Sequence, residues 1–190
     1  LELIIVIGII AVLAAISVLV LNPAQLFAQA RDTTRVEDLG VIKNALAFYV
    51  STISAPTMGV SGTCYVSTSA AVGLNCGTRH VGANAVYPAN PRLVDGNGWV
   101  PVNLGAISGG SPLSVLPLDP TNNATHFYSY ANNNTTKTFE LNANMESLRY
   151  CASGTDDKET TDGGSLNSVG GTDCSGTAVY EVGTAPGLSL

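Results

Sequence analysis

The stretch Leu1-Glu2-Leu3-Ile4-Ile5-Val6-Ile7-Gly8-Ile9-Ile10-Ala11-Val12-Leu13-Ala14-Ala15-Ile16 decides the reading of this chain. One carboxylate, Glu2, sits at its tip, and the next charged residue is Arg31. The run continues to Leu21 with only Gly8 and Ser17 as exceptions. At ~1.5 Å per residue it comes close to the ~30 Å of a bilayer core. A buried helix of a soluble protein normally keeps a polar face, whereas this segment is apolar all round. A signal peptide has a shorter apolar region preceded by basic residues. The segment therefore reads as a helix for a membrane or for a bundle of apolar helices. A carboxylate at membrane depth costs roughly 2.5–3.5 kcal/mol, so Glu2 calls for a partner or a role.

Asn22-Pro23 interrupts the run. Proline inside a helix removes one hydrogen bond and clashes with the carbonyl four residues back, here that of Leu19, so a kink or local unwinding is expected at Pro23. Beyond it, Leu39, Ile42, Leu46, Tyr49 or Val50, and Ile53 recur at three- and four-residue steps, giving one apolar stripe. Arg31, Asp32, Arg35, Glu37, Asp38 and Lys43 read as a solvated face, with Arg35 and Asp38 placed for a weak pairing; in a helical assembly such charges would also fix the register of neighbours. Pro56 and the small residues around it end the helix. The organisation read is an apolar helix over 1–23, an amphipathic continuation over 24–54, and a β-rich head over 55–190.

The whole chain has 190 residues, of which 12% are charged, and carries a net charge of -6. Its mean hydropathy is +0.25 and its pI about 4.6. An acidic surface repels nucleic acid, so none is expected as a partner. The head cations Arg79, Arg92, Lys137, Arg149 and Lys158 are scattered in sequence. An enzyme is not indicated: His80 and His126 are the only neutral-pH bases, and Ser111 in Gly109-Gly110-Ser111 lacks a nucleophile elbow.

In the head, short extended candidates at 64–67, 99–104, 127–130, 138–141 and 178–182 lie between turn-rich segments, which predicts a small antiparallel sheet with long loops. Trp99 and the tyrosines read as core residues of that sheet. The fold class is α+β. Cys64, Cys76, Cys151 and Cys174 lie in a Gly-, Ser-, Thr- and Asn-rich region without C-x-x-C spacing, which favours disulfides over a zinc site or free buried thiols. Of three connectivities, Cys64–Cys76 and Cys151–Cys174 each close a local loop with no other obvious support. The second loop carries Asp156, Asp157, Glu159, Asp162 and Asp173, oxygen donors that suit calcium although their spacing is not an EF-hand; a solvated acidic loop is preferred. Asn123, Asn133 and Asn134 fit the N-x-Ser/Thr glycosylation pattern.

The opening string, continued by Asn22-Pro23-Ala24-Gln25 and Arg31-Asp32, resembles the N-terminal helix of type IV pilins and type II secretion pseudopilins. In the head, Leu116-Pro117-Leu118-Asp119-Pro120 with Phe127-Tyr128-Ser129-Tyr130, then Phe139-Glu140-Leu141 and Ala143-Asn144-Met145-Glu146, is similar to segments of the major pseudopilins; 57–112 lies outside the resemblance. The resemblance implies the pilin fold, a long N-terminal helix broken at Pro23 and packed on a small β-sheet head with disulfide-tied loops. It implies a structural subunit that polymerises through this helix into an extracellular filament for adhesion or motility, after a stage as a single-pass protein of the inner, cytoplasmic membrane. The alternatives are a major pseudopilin or the subunit of a DNA-uptake pilus. Implied partners are further copies of the chain, a prepilin peptidase and the pilus assembly machinery. No cofactor is required, and calcium in the C-terminal loop is what major pseudopilins would suggest. In the family the equivalent of Glu2 meets the positively charged N-terminus of an adjacent subunit. Family members begin with a methylated residue and three more before that glutamate, so three residues are expected ahead of Leu1.

Overall fold

The computed structural model describes residues 1–73, 75–80, 83–151, 154–166, 174, 178–185 and 188–190; the side chains of 18–21 and 75 lie outside that description. It is α+β, with two consecutive helices and a mixed five-stranded sheet.

Helix α1 spans Glu2–Leu21 and α2 spans Pro23–Thr52. Between them Asn22 takes a left-handed conformation, φ 40°, which ends α1, and Pro23 opens α2 at its first position. Proline is at home there, because its missing N–H would have had no intrahelical acceptor. The break at Pro23 is thus one residue long. Within α1 the hydroxyl of Ser17 donates to the Leu13 carbonyl at 2.8 Å, which satisfies it inside an apolar segment.

The strands are β1 (Thr63–Val66), β2 (Asn84–Val86), β3 (Ser129–Asn133), β4 (Thr138–Ala143) and β5 (Tyr180–Gly183), in the spatial order β2-β1-β3-β4-β5. The expected all-antiparallel sheet is corrected: β1 and β2 run parallel, and only the pairs β1–β3, β3–β4 and β4–β5 are antiparallel. A parallel pair needs a crossover of a dozen or more residues, and the segment between Val66 and Asn84, tied back to β1 by Cys64–Cys76, provides it. The expected strand at 99–104 is instead an irregular segment ending in a 3-10 turn, Leu104–Ala106.

The two faces of the sheet differ. Tyr130, Phe139, Leu141 and Ala143 turn toward α2 and form one core with Leu39, Ile42, Leu46 and Tyr49. Trp99, Val100, Val102, Leu104 and Leu116 close this core from the loop side, and the Trp99 indole donates to the Pro117 carbonyl at 2.9 Å. Trp99 is thus a core residue, but one supplied by a loop. The opposite face presents Ser129, Glu140, Asn142 and Glu181, all buried. Strand alternation of this kind normally puts the polar row in water. Here His80, Leu190 and the 162–166 segment cover it, through His80 Nε2 to Ser129 Oγ (3.2 Å), Leu190 N–H to Glu140 (2.8 Å) and Leu166 N–H to Glu181 (2.8 Å).

Candidate functional site

Every described side chain of α1, from Leu1 to Ser17, is exposed. Glu2 sits in its first turn, where a carboxylate is favoured by the helix dipole. Among the described residues no helix is long and apolar enough to cross a membrane.

The exposed surface continues onto α2 with a composition that corrects the expected solvated charged face. Phe27, Ala30, Thr34, Val41, Asn44, Ala47 and Phe48 are exposed, and among the described residues Glu37 is the only charged residue at an exposed position of this helix. Arg31, Asp38 and Lys43 are half-buried, and Asp32 and Arg35 are fully buried. Glu37 apart, the charges of α2 are withdrawn from the exposed surface.

Arg35 is the centre of that inward cluster. It bonds Asp119 with two nitrogens (2.7 and 2.9 Å), Asp32 at 2.8 Å, and Glu146. Asp32 also accepts the backbone N–H groups of Glu146 (2.9 Å) and Ser147 (2.8 Å). Arg31 reaches Glu146 through Nε at 2.9 Å, and Thr121 donates to the same carboxylate at 2.7 Å. These donors hold the Glu146 carboxyl at about 2, against the desolvation that would raise it. The expected Arg35–Asp38 pairing is replaced: Asp38 accepts the Tyr128 hydroxyl at 2.8 Å, and burial lifts its carboxyl. One signal in the sequence marked these residues. Asp32 and Arg35 extend the buried stripe of Leu39, Ile42, Leu46 and Tyr49 by the same steps of three and four.

The second face of the sheet holds a different set. Burial raises Glu140 to about 7 and Glu181 to about 8, and lowers His80 to about 4. Ser129, His80 and Glu140 stand in line, with the imidazole 3.2 Å from the hydroxyl and 3.6 Å from the carboxyl. All three are fully buried, and the ring's Nδ1 is also 3.1 Å from the Leu190 carbonyl.

The remaining sites are placed as follows. Both disulfides form, Cys64–Cys76 and Cys151–Cys174, with Cα atoms 6.4 and 5.3 Å apart. Asp156 lies 2.8 Å from Lys158, Asp157 accepts the N–H groups of Glu159 and Thr160, and Asp162 accepts those of Gly164 and Glu181. Among the described residues no three such side chains are grouped to hold a metal ion. Asp173 lies outside the described residues. Asn123 and Asn133 cap tight turns with their side-chain oxygens, and Asn134 accepts from Met58 N–H at 2.9 Å. Among the described residues the head cations are taken up separately: Arg79 is buried, Arg149 and Lys158 face Asp156, Lys137 bonds Asn134, and Arg92 bonds the Leu116 carbonyl.

Comparison of the chain with protein-family models, with curated proteins and with solved structures finds no match in any of the three.

Proposed function

We propose that this chain is the structural subunit of a helical filament of the type IV pilin class, a surface pilus that polymerises through α1. One observation carries the reading: the exposed surface of the helices over Leu3–Ser17 and Phe27–Phe48 is almost uncharged, while the charges of α2 other than Glu37 are buried or half-buried. An exposed apolar surface of this extent has to be removed from water, and each buried CH₂ contributes about 0.8 kcal/mol. Copies of the same helix packed side by side would remove it, and a bilayer would do so before assembly, with 18–21 completing the span. Gly8, Ala11, Ala14 and Ala15 permit close helix approach. Glu2 then meets a positive terminus of the neighbouring subunit, which neutralises two costly charges and fixes the stagger between copies. The disulfide-tied, turn-rich head suits the outside of such a filament.

Shearing cells and imaging the released material tests the proposal. Long filaments containing this chain are expected, and Glu2→Leu should leave the subunit in the membrane fraction while filament yield falls at least about tenfold. Normal filaments from Glu2→Leu would remove the Glu2 contact. The absence of filaments, together with a secretion defect on deletion, would reassign the chain to a pseudopilus.

A further inference from the structure

Arg79 is as deeply buried as the sheet it lies on, with 5% of its surface exposed. Among the described residues no carboxylate pairs with it. Its Nη1 donates to the Phe127 carbonyl at 2.6 Å and lies 3.5 Å from Ser129 Oγ. Its Nη2 donates to the Thr125 carbonyl at 3.3 Å and to Asn144 Oδ1. The guanidinium carbon stands 3.5 Å over the Phe127 ring. Every partner is neutral. Carbonyl dipoles and an aromatic face reduce the cost of a desolvated cation but leave it without a directly bonded counter-charge, Asp119 supporting it only from a distance. Burial also pushes its guanidinium down to about 9.

The Nη2 end is the less buried one, and Arg79 and Asn144 line a cavity of about 220 Å³ there, walled by Gly77, Thr78, Ala124 and Val179. The backbone on its rim is held unusually. Cys76, Gly77 and Thr78 all have positive φ, at 52°, 71° and 72°. A β-branched residue such as Thr78 rarely occupies that region, and the Cys64–Cys76 bridge anchors the turn that forces it to. From the buried cation and the open cavity at its forked end, we infer that this pocket binds a small carboxylate, paired with Arg79. A single negative charge matches the single unpaired positive one. Ala124 and Val179 on the cavity wall give a short carbon chain an apolar contact beside that charge.

The test uses the full chain in detergent micelles, with sodium acetate as the probe at constant ionic strength. Amide resonances of Gly77, Thr78, Thr125 and Asn144 should shift saturably, with a midpoint on the order of 1–10 mM, and sodium chloride should not reproduce it. Asn144→Asp sets a carboxylate beside Nη2 from within the chain. It should weaken acetate binding at least about tenfold and raise Tm in acetate-free buffer, a gain that a merely structural Asn144 would not give. Arg79→Gln should abolish saturation; where that variant does not fold, Asn144→Asp still decides. Linear shifts shared by acetate and chloride, or unchanged acetate binding in Asn144→Asp, would overturn the inference. Saturation by inorganic phosphate at lower concentration than by acetate would overturn the carboxylate assignment.

Discussion

Among the described residues two arginines are buried, and their surroundings are opposites. Arg35, on α2, is bonded to three carboxylates, Asp32, Asp119 and Glu146. Arg79, behind the sheet, is bonded only to carbonyl, amide and hydroxyl oxygens and to an aromatic face. The difference follows from what each does for the chain. Arg35 joins segments distant in sequence, pinning α2 to the two head segments that contain Asp119 and Glu146, so its charges are spent on internal architecture. Arg79 joins the β1–β2 crossover to β3 and keeps its charge unspent.

The largest effect should come from breaking the compensated cluster. Arg35→Met leaves three carboxylates crowded without their cation, and a loss of about 3–5 kcal/mol is expected in chemical denaturation. A loss under about 1 kcal/mol would mean that the cluster is not a closed ion network. Arg79→Met removes an uncompensated charge along with its hydrogen bonds, so the two changes partly cancel. Its cost should be about half that of Arg35→Met or less, and an equal cost would erase the contrast between the two sites.

The smallest effect is a pH slope that separates the two faces of the sheet. Glu146, depressed to about 2, contributes stability present above the ordinary glutamate range and lost as pH falls from about 4.5 through 2. Glu140 and Glu181, raised to about 7 and 8, work the other way. Their contribution is complete below about 4.5 and is lost as pH rises through 7 and 8. His80, depressed to about 4, adds stability as pH rises from 4 to 6.5 and offsets the pair there. Above 6.5 the glutamates act alone among these groups, so Tm should decline by a few degrees between pH 6.5 and 8.5. Glu181→Gln should flatten most of that decline. An unchanged slope in thermal melts of this variant would show that the pair is not protonated in the folded chain.

Much of the backbone plan was legible from residue order. The run from Leu3 could hardly read as anything but an apolar helix, Asn22-Pro23 marked its interruption, and the 39–49 spacing marked the buried stripe of α2. The cysteine pairing followed from loop locality. What misled was charge. Arg35 and Asp32 look like solvent residues by type, and only the position of Asp119 and Glu146, brought from more than 80 residues away, makes their burial favourable. Strand β4 reads Thr-Phe-Glu-Leu-Asn-Ala, and its polar row would face water if nothing covered it. The cover comes from His80 and from the C-terminal segments, which no local pattern predicts. Strand β2, at Asn84–Val86, is short and carries no alternation, so its parallel pairing had no sequence signal.

The sequence by itself determined where the chain is apolar enough to demand a partner surface, because hydrophobic periodicity and an isolated carboxylate depend only on residue order. Tertiary structure alone decided which charges are spent within the subunit and which stay unspent, because the cost of burying a charge is set by whichever groups distant segments bring to it. The opening helix is therefore a fact of sequence, and the contrast between Arg35 and Arg79 is a fact of the fold.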